Sequence, residues 1–90
     1  MAIVFMQPSL RKHIGGHTTV EVEGRTLRQV IVNLDSKYPG IQERLIHPDN
    51  PTQLARGLAA VVDGEPTNMG MLTPLEQNSE VHFLPAISGG

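Results

Sequence analysis

The chain opens on a short apolar run, Ala2 to Met6, rich in β-branched and aromatic residues and halted at Gln7-Pro8. That pattern predicts a strand stopped by proline. Ser9 to Gly16 is a polar stretch holding Arg11, Lys12, His13 and the pair Gly15-Gly16; from His17 to Glu23 apolar and polar positions then alternate, with Val20 and Val22 two apart. Alternation predicts a second strand that buries the valines and turns Glu21 and Glu23 toward water, joined to the first as a hairpin with a long connection.

The period changes after Gly24-Arg25. Leu27, Val30, Ile31, Leu34 and Tyr38 fall at i, i+3, i+4, i+7 and i+11, which predicts a helix with one apolar face. Thr26-Leu27-Arg28-Gln29 matches a capping box, in which the Thr hydroxyl and the Gln amide each satisfy an orphan N–H of the first turn. Pro39-Gly40 ends the helix, and Lys37 in its last turn complements the dipole. Ile41 to Ile46 has room for one further helical turn, and Pro48 to Thr52 reads as a surface loop. Gly57 to Val62, small and apolar, predicts a buried strand that reverses at Asp63-Gly64. Met71 to Leu75 is ambiguous because Pro74 interrupts it. Asn78-Ser79 predicts a turn before a last strand, Glu80 to Leu84, with Val81 and Phe83 on one face and His82 and Leu84 on the other.

The predicted order is two strands, a helix, then two or more strands, without βαβ repetition. It implies an α+β fold in which a sheet packs one main helix across one face. Nothing in the chain is left to cover the opposite face, which predicts a partner there. With 90 residues the chain is one domain, and area scaling gives it a modest core that removes about 9,000 Å² from water.

Composition narrows the function. A net charge of −2 and only three aromatic residues, Phe5, Tyr38 and Phe83, argue against nucleic-acid binding. The absence of cysteine excludes disulfides, thiolate metal clusters and a side-chain thiol nucleophile. The apolar run at the start is far short of the roughly 18 residues of a membrane span, so the expectation is a soluble cytoplasmic protein. His13 and His17 are four apart, but Gly15-Gly16 between them opposes the helix that would make such spacing useful to a metal. Arg11, Lys12, Arg25 and Arg28 are offset by Glu21 and Glu23 and read as solvated charge. Asp63 and Glu65 are accounted for by the turn at Gly64. No catalytic residue and no metal site is expected.

The end of the chain carries the most information. Leu84-Pro85-Ala86-Ile87-Ser88-Gly89-Gly90 lies beyond the last strand, and Pro85, lacking a ladder donor, is expected to release it as a flexible tail, residues 85–90. Terminal glycines have no Cβ and can thread a channel too narrow for other residues. Two of them arise there by chance in roughly 0.5% of chains. Leu84 and Ile87 flank Pro85 and either anchor a partner or tuck into the domain's own edge.

The whole pattern resembles the MoaD/ThiS sulfur carrier proteins, whose fold is the ubiquitin-like β-grasp. The resemblance rests on Val81-His82-Phe83-Leu84-Pro85-Ala86-Ile87-Ser88-Gly89-Gly90 and on the order of elements. His13-Ile14-Gly15-Gly16, Thr26-Leu27, Tyr38-Pro39-Gly40-Ile41, Glu43-Arg44-Leu45 and Asp63-Gly64 look most like its CysO branch, carriers for cysteine synthesis. The resemblance implies a non-enzyme acted on by partners. Gly90 would be modified, first to an acyl-adenylate and then to a thiocarboxylate. Gly89 and Ser88 would thread the partner's channel, and Leu84, Pro85, Ala86 and Ile87 would contact it. The activating partner is implied to be an adenylyltransferase of the MoeB/ThiF type using ATP and magnesium, with no cofactor bound by the carrier itself. The implied acceptor is a cysteine synthase, or the molybdopterin synthase large subunit if the chain is MoaD-like; a ThiS-like chain would serve thiamine synthesis. Because the chain ends at Gly90, no protease is expected to be needed. Where the family often has an Asp-Gly-Asp-like turn, this chain has Gln77-Asn78-Ser79-Glu80. A ubiquitin-like protein modifier and an interaction domain with an inert tail are the remaining readings.

Overall fold

A computed structural model of the chain describes residues 1–67 and 69–86. The two N-terminal strands form as the alternation predicts, β1 over Ala2–Phe5 and β2 over Thr19–Val22, paired antiparallel with Val4 opposite Val20. The main helix, α1, spans Leu27–Lys37 and buries Leu27, Val30, Ile31 and Leu34. A short α2 follows over Ile41–Leu45. Then come β3 over Leu58–Val62, β4 over Glu65–Pro66 and β5 over Glu80–Pro85. The sheet order is β2-β1-β5-β3-β4, with β1 and β5 parallel and every other pair antiparallel. This is the expected mixed β-grasp sheet with the helix across one face.

Local chemistry explains each boundary. Thr26 Oγ1 accepts the Gln29 N–H at 3.2 Å, and Gln29 Oε1 accepts the Arg25 N–H at 2.8 Å. The box therefore closes one residue earlier than its usual form, which would return to the Thr26 N–H. The Leu27 N–H, another orphan of the first turn, donates to Thr73 O at 3.0 Å. That bond settles the ambiguous stretch: Gly70–Leu72 is one 3-10 turn, after which Pro74 bridges to Thr26 and fastens this crossing to the helix start. Asp35 Oδ1 accepts the N–H groups of Gly40 and Gln42, each at 3.0 Å, so α1 supplies the cap that Gly40, at the N-cap position of α2, lacks a side chain to provide. Asp63 and Gly64, at φ 51° and 83°, form the two-residue reversal between β3 and β4 that favours left-handed residues.

One expectation gains detail and one needs correction. The long connection of the predicted hairpin holds a 3-10 helix, Pro8–Ile14, that the polar pattern does not announce. Ile14 is fully buried, so one apolar residue among the polar ones ties the segment to the core. The second concerns Pro85, which does not release the chain. It stands opposite Leu58, and the next residue, Ala86, donates its N–H to Gly57 O at 2.8 Å. The register accounts for this. Asp63 donates to Glu80 O, as Ala86 does to Gly57 O, so residues 80, 82, 84 and 86 direct their backbone groups at β3, while 81, 83 and 85 face the β1 side. Pairing with β1 ends at Phe5 and His82. The missing Pro85 N–H thus falls where no ladder remains to be served, and the sheet holds the first two residues of the predicted tail.

The core lies between the helix face and one side of the sheet. Val4, Val81 and Phe83 are fully buried there against Leu27, Val30, Ile31 and Leu34. The predicted phase of β5 is therefore right.

Candidate functional site: the open sheet face and the root of the chain end

The sheet face away from the helix is built by the other half of each alternation. Its central row follows from the register: Thr19, Phe5, His82, Val61 and Pro66 are successive cross-strand partners. Within it the rings of Phe5 and His82 stack with centroids 4.1 Å apart and planes 3° apart. On one side of this row stand Glu21, Ile3 and Glu80, with Glu80 Oε1 3.4 Å from His82 Nε2. On the other side Leu84 pairs with Ala59.

Leu84 is 43% exposed. It points off the open face and does not tuck into the domain's edge, which excludes the edge reading for this residue. Pro85 and Ala86 are exposed beside it. Ile87, Ser88, Gly89 and Gly90, the rest of the predicted site, lie outside the described residues. The open face thus ends in an apolar corner at the point where the chain runs on toward Gly90.

Acid and base are unevenly placed around β5. Near its start Asp63 is fully engaged: Oδ2 accepts the Ser79 hydroxyl and Oδ1 the Glu80 N–H, both at 2.8 Å. Those bonds give the carboxylate a structural task, fixing the turn in which Asn78 adopts φ 67°, so the acid set aside in the sequence as a turn residue is one. At the other end of β5 a small cleft of about 190 Å³ is lined by Arg11, Gln7, Thr18 and Pro85. Arg11 Nε donates to Met6 O at 3.1 Å.

The remaining sequence candidates are dispersed. Arg25 lies in a groove with Met1 and Glu23, at the opposite end of β1 from Arg11, so the four cations considered together do not form one patch. His13 is half-buried and His17 exposed, on either side of Gly15 and Gly16, both left-handed at φ 71° and 81°. Sequence reasoning missed the Phe5–His82 stack, because cross-strand neighbours 77 residues apart depend on the parallel pairing of β1 with β5. The alternation that placed His82 and Leu84 on one face was the available signal.

Comparison with known proteins agrees with this architecture. A family model described as the ThiS family matches residues 4–90. The sulfur carrier protein CysO of Mycobacterium bovis is 39% identical over 83 residues, 90% of this chain and 89% of that protein. The crystal structure of Mycobacterium tuberculosis CysO superposes with a TM-score of 0.91 at 35% identity, covering 97% of this chain and all of that one. An Amycolatopsis orientalis BexX/CysO complex gives a TM-score of 0.86 at 28% identity over the full length of both chains. With the sheet order, the helix and nearly the whole sequence shared, the chain belongs to the ThiS family of ubiquitin-like β-grasp proteins.

Proposed function

We propose that this chain is a sulfur carrier whose Gly90 carboxylate is the cargo site, serving cysteine biosynthesis. The observation that carries the reading is 39% identity to a CysO sulfur carrier over nine-tenths of the chain, with the family match running through Gly90. The geometry supports it. Ala86 is the last residue held by the described sheet, and the four residues after it span at most about 14 Å when extended.

A carboxylate is ionised at neutral pH and is a poor acyl donor. The chemistry requires activation by a partner adenylyltransferase with ATP and magnesium. A Gly90 oxygen attacks the α-phosphorus, pyrophosphate leaves, and the acyl-adenylate forms. A sulfur nucleophile at the oxidation level of sulfide then adds to the acyl carbon and AMP departs, leaving a thiocarboxylate. The carrier contributes the acyl group and a docking surface, and the partners supply the acid–base chemistry. The open face, where Phe5, Val61 and Pro66 alternate with Thr19 and His82 in a row flanked by Glu21 and Glu80, suits a partner surface that is largely apolar at its centre and basic at its rim. Leu84, Pro85 and Ala86 lead from that face to Ile87, Ser88 and Gly89, which are assigned to contact and threading of the partner's channel.

Intact-mass measurement on protein purified from the source organism tests this reading. A species heavier by one sulfur in place of one oxygen, localised to the C-terminal peptide, is expected. An unmodified mass with no ATP–pyrophosphate exchange in the presence of the organism's own ThiS-family adenylyltransferase overturns it, and mass gain by a whole second chain points to a protein modifier instead.

A further inference from the structure

The uneven charge around β5 bears on how the chain end meets its partner. Arg11, Lys12 and His13 make the last turn of the 3-10 helix basic, and Arg11 is fixed at the root of the chain end by its bond to Met6 O. On the opposite flank, Arg56 is exposed in the turn closed by the Leu58 N–H on Ala55 O, one residue before the Gly57 carbonyl that holds Ala86. Arg56 is thus next in the chain to the residue that anchors Ala86. The last described residues of the strand therefore have an arginine near them on each flank, Arg11 in the cleft with Pro85 and Arg56 beside the Gly57 carbonyl that holds Ala86. The cleft at this root is lined by no carboxylate, and among the described residues neither arginine has an ion-pair partner. The cleft at the start of the strand contains Asp63 and Glu80. Over the roughly 17 Å of β5, the surface goes from acidic to basic.

Arginines without an internal counter-charge keep guanidinium N–H donors for a partner, Arg11 by its terminal nitrogens while its Nε holds Met6 O. Set beside an extending segment, they attract an anionic rim and repel a cationic one, an effect that acts on encounter rate and orientation more than on the strength of the final contact. We propose that Arg11 and Arg56 form a basic collar that seats the root of the chain end on an acidic rim, carboxylate side chains at the mouth of the activating partner's channel. The inference rests on the carrier reading above. It assigns the arginines a positioning role and no part in the chemistry, and it gives the two ends of β5 partner surfaces of opposite charge.

ATP–pyrophosphate exchange catalysed by the organism's own ThiS-family adenylyltransferase tests the collar, with the full chain as the varied substrate. Arg56→Glu, exposed and free of hydrogen bonds through its side chain among the described residues, is expected to raise KM for the carrier at least five-fold at low salt. Turnover at saturating carrier should stay within two-fold. The double variant Arg11→Glu/Arg56→Glu should raise KM further and flatten its salt dependence, because the screened attraction is gone. Arg56→Lys should restore most of the affinity, and Arg28→Glu, the same charge change on α1, should leave KM unaltered. An unchanged KM in both Glu variants, an equal effect from Arg28→Glu, or a change in KM for ATP in place of the carrier would each overturn the collar. Absence of exchange with the unsubstituted chain would instead overturn the carrier reading, and the collar with it.

Discussion

Phe83 shows how much one side chain of this small domain carries. Its ring is fully buried where β5 crosses the helix face, and truncation to Ala should cost about 3–5 kcal/mol, the lost transfer energy plus the cavity left behind. Chemical denaturation of the Phe83→Ala variant checks this, and an unchanged midpoint would mean that the ring is not in the core. Leu84, the next residue, faces the other way. Leu84→Asp should change stability by no more than about 0.5 kcal/mol, while raising KM for the carrier in the exchange assay, since it removes the apolar corner beside the chain end. Gly24 is a third case, set by space. A Cβ there would lie 2.7 Å from Val30 Cγ2 and 2.8 Å from the Val30 backbone nitrogen, so Gly24→Ala must push the helix off the sheet. A loss of about 1–3 kcal/mol is expected from such overpacking, read from the thermal midpoint.

At the scale of elements, caps and crossings do more than propensity. An isolated helix as short as α1 is marginal in water; here Thr26, Gln29 and the Thr73 carbonyl satisfy the N–H groups at its start while four apolar residues pin one face. Thr26→Ala should therefore cost about 1 kcal/mol, seen as a lower denaturation midpoint with unchanged slope. The capping box, the apolar spacing and the Asp63-Gly64 reversal were all legible from residue types, because each involves neighbours within four positions. The 3-10 helix after Pro8 was not. Its one anchoring residue, Ile14, sits in a polar run with no period, and only its burial against the core distinguishes the segment from a loop. The role of Asp35 was equally hidden, since its carboxylate caps a helix that begins six residues later through a bond no local pattern encodes.

For the whole molecule, the separation of tasks is plain. One sheet face holds the helix and the core, and the other, proposed as the docking surface, leads to the chain end. Deleting Gly90 should then leave the thermal midpoint within about 1 °C, since terminal residues contribute little to stability, while abolishing adenylation. Retained exchange after that deletion would contradict the cargo role. The fold class, the single helix and the phase of β5 were readable from the sequence because periodicity reports which side of each element meets water. Periodicity cannot report which strands lie side by side. That Phe5 stacks on His82, that Pro85 stays in the ladder, and that Arg11 lies near Pro85 and Arg56 near Ala86 all depend on β1 and β3 flanking β5. Those pairings join residues far apart in sequence, and their register is set by the packed core as a whole.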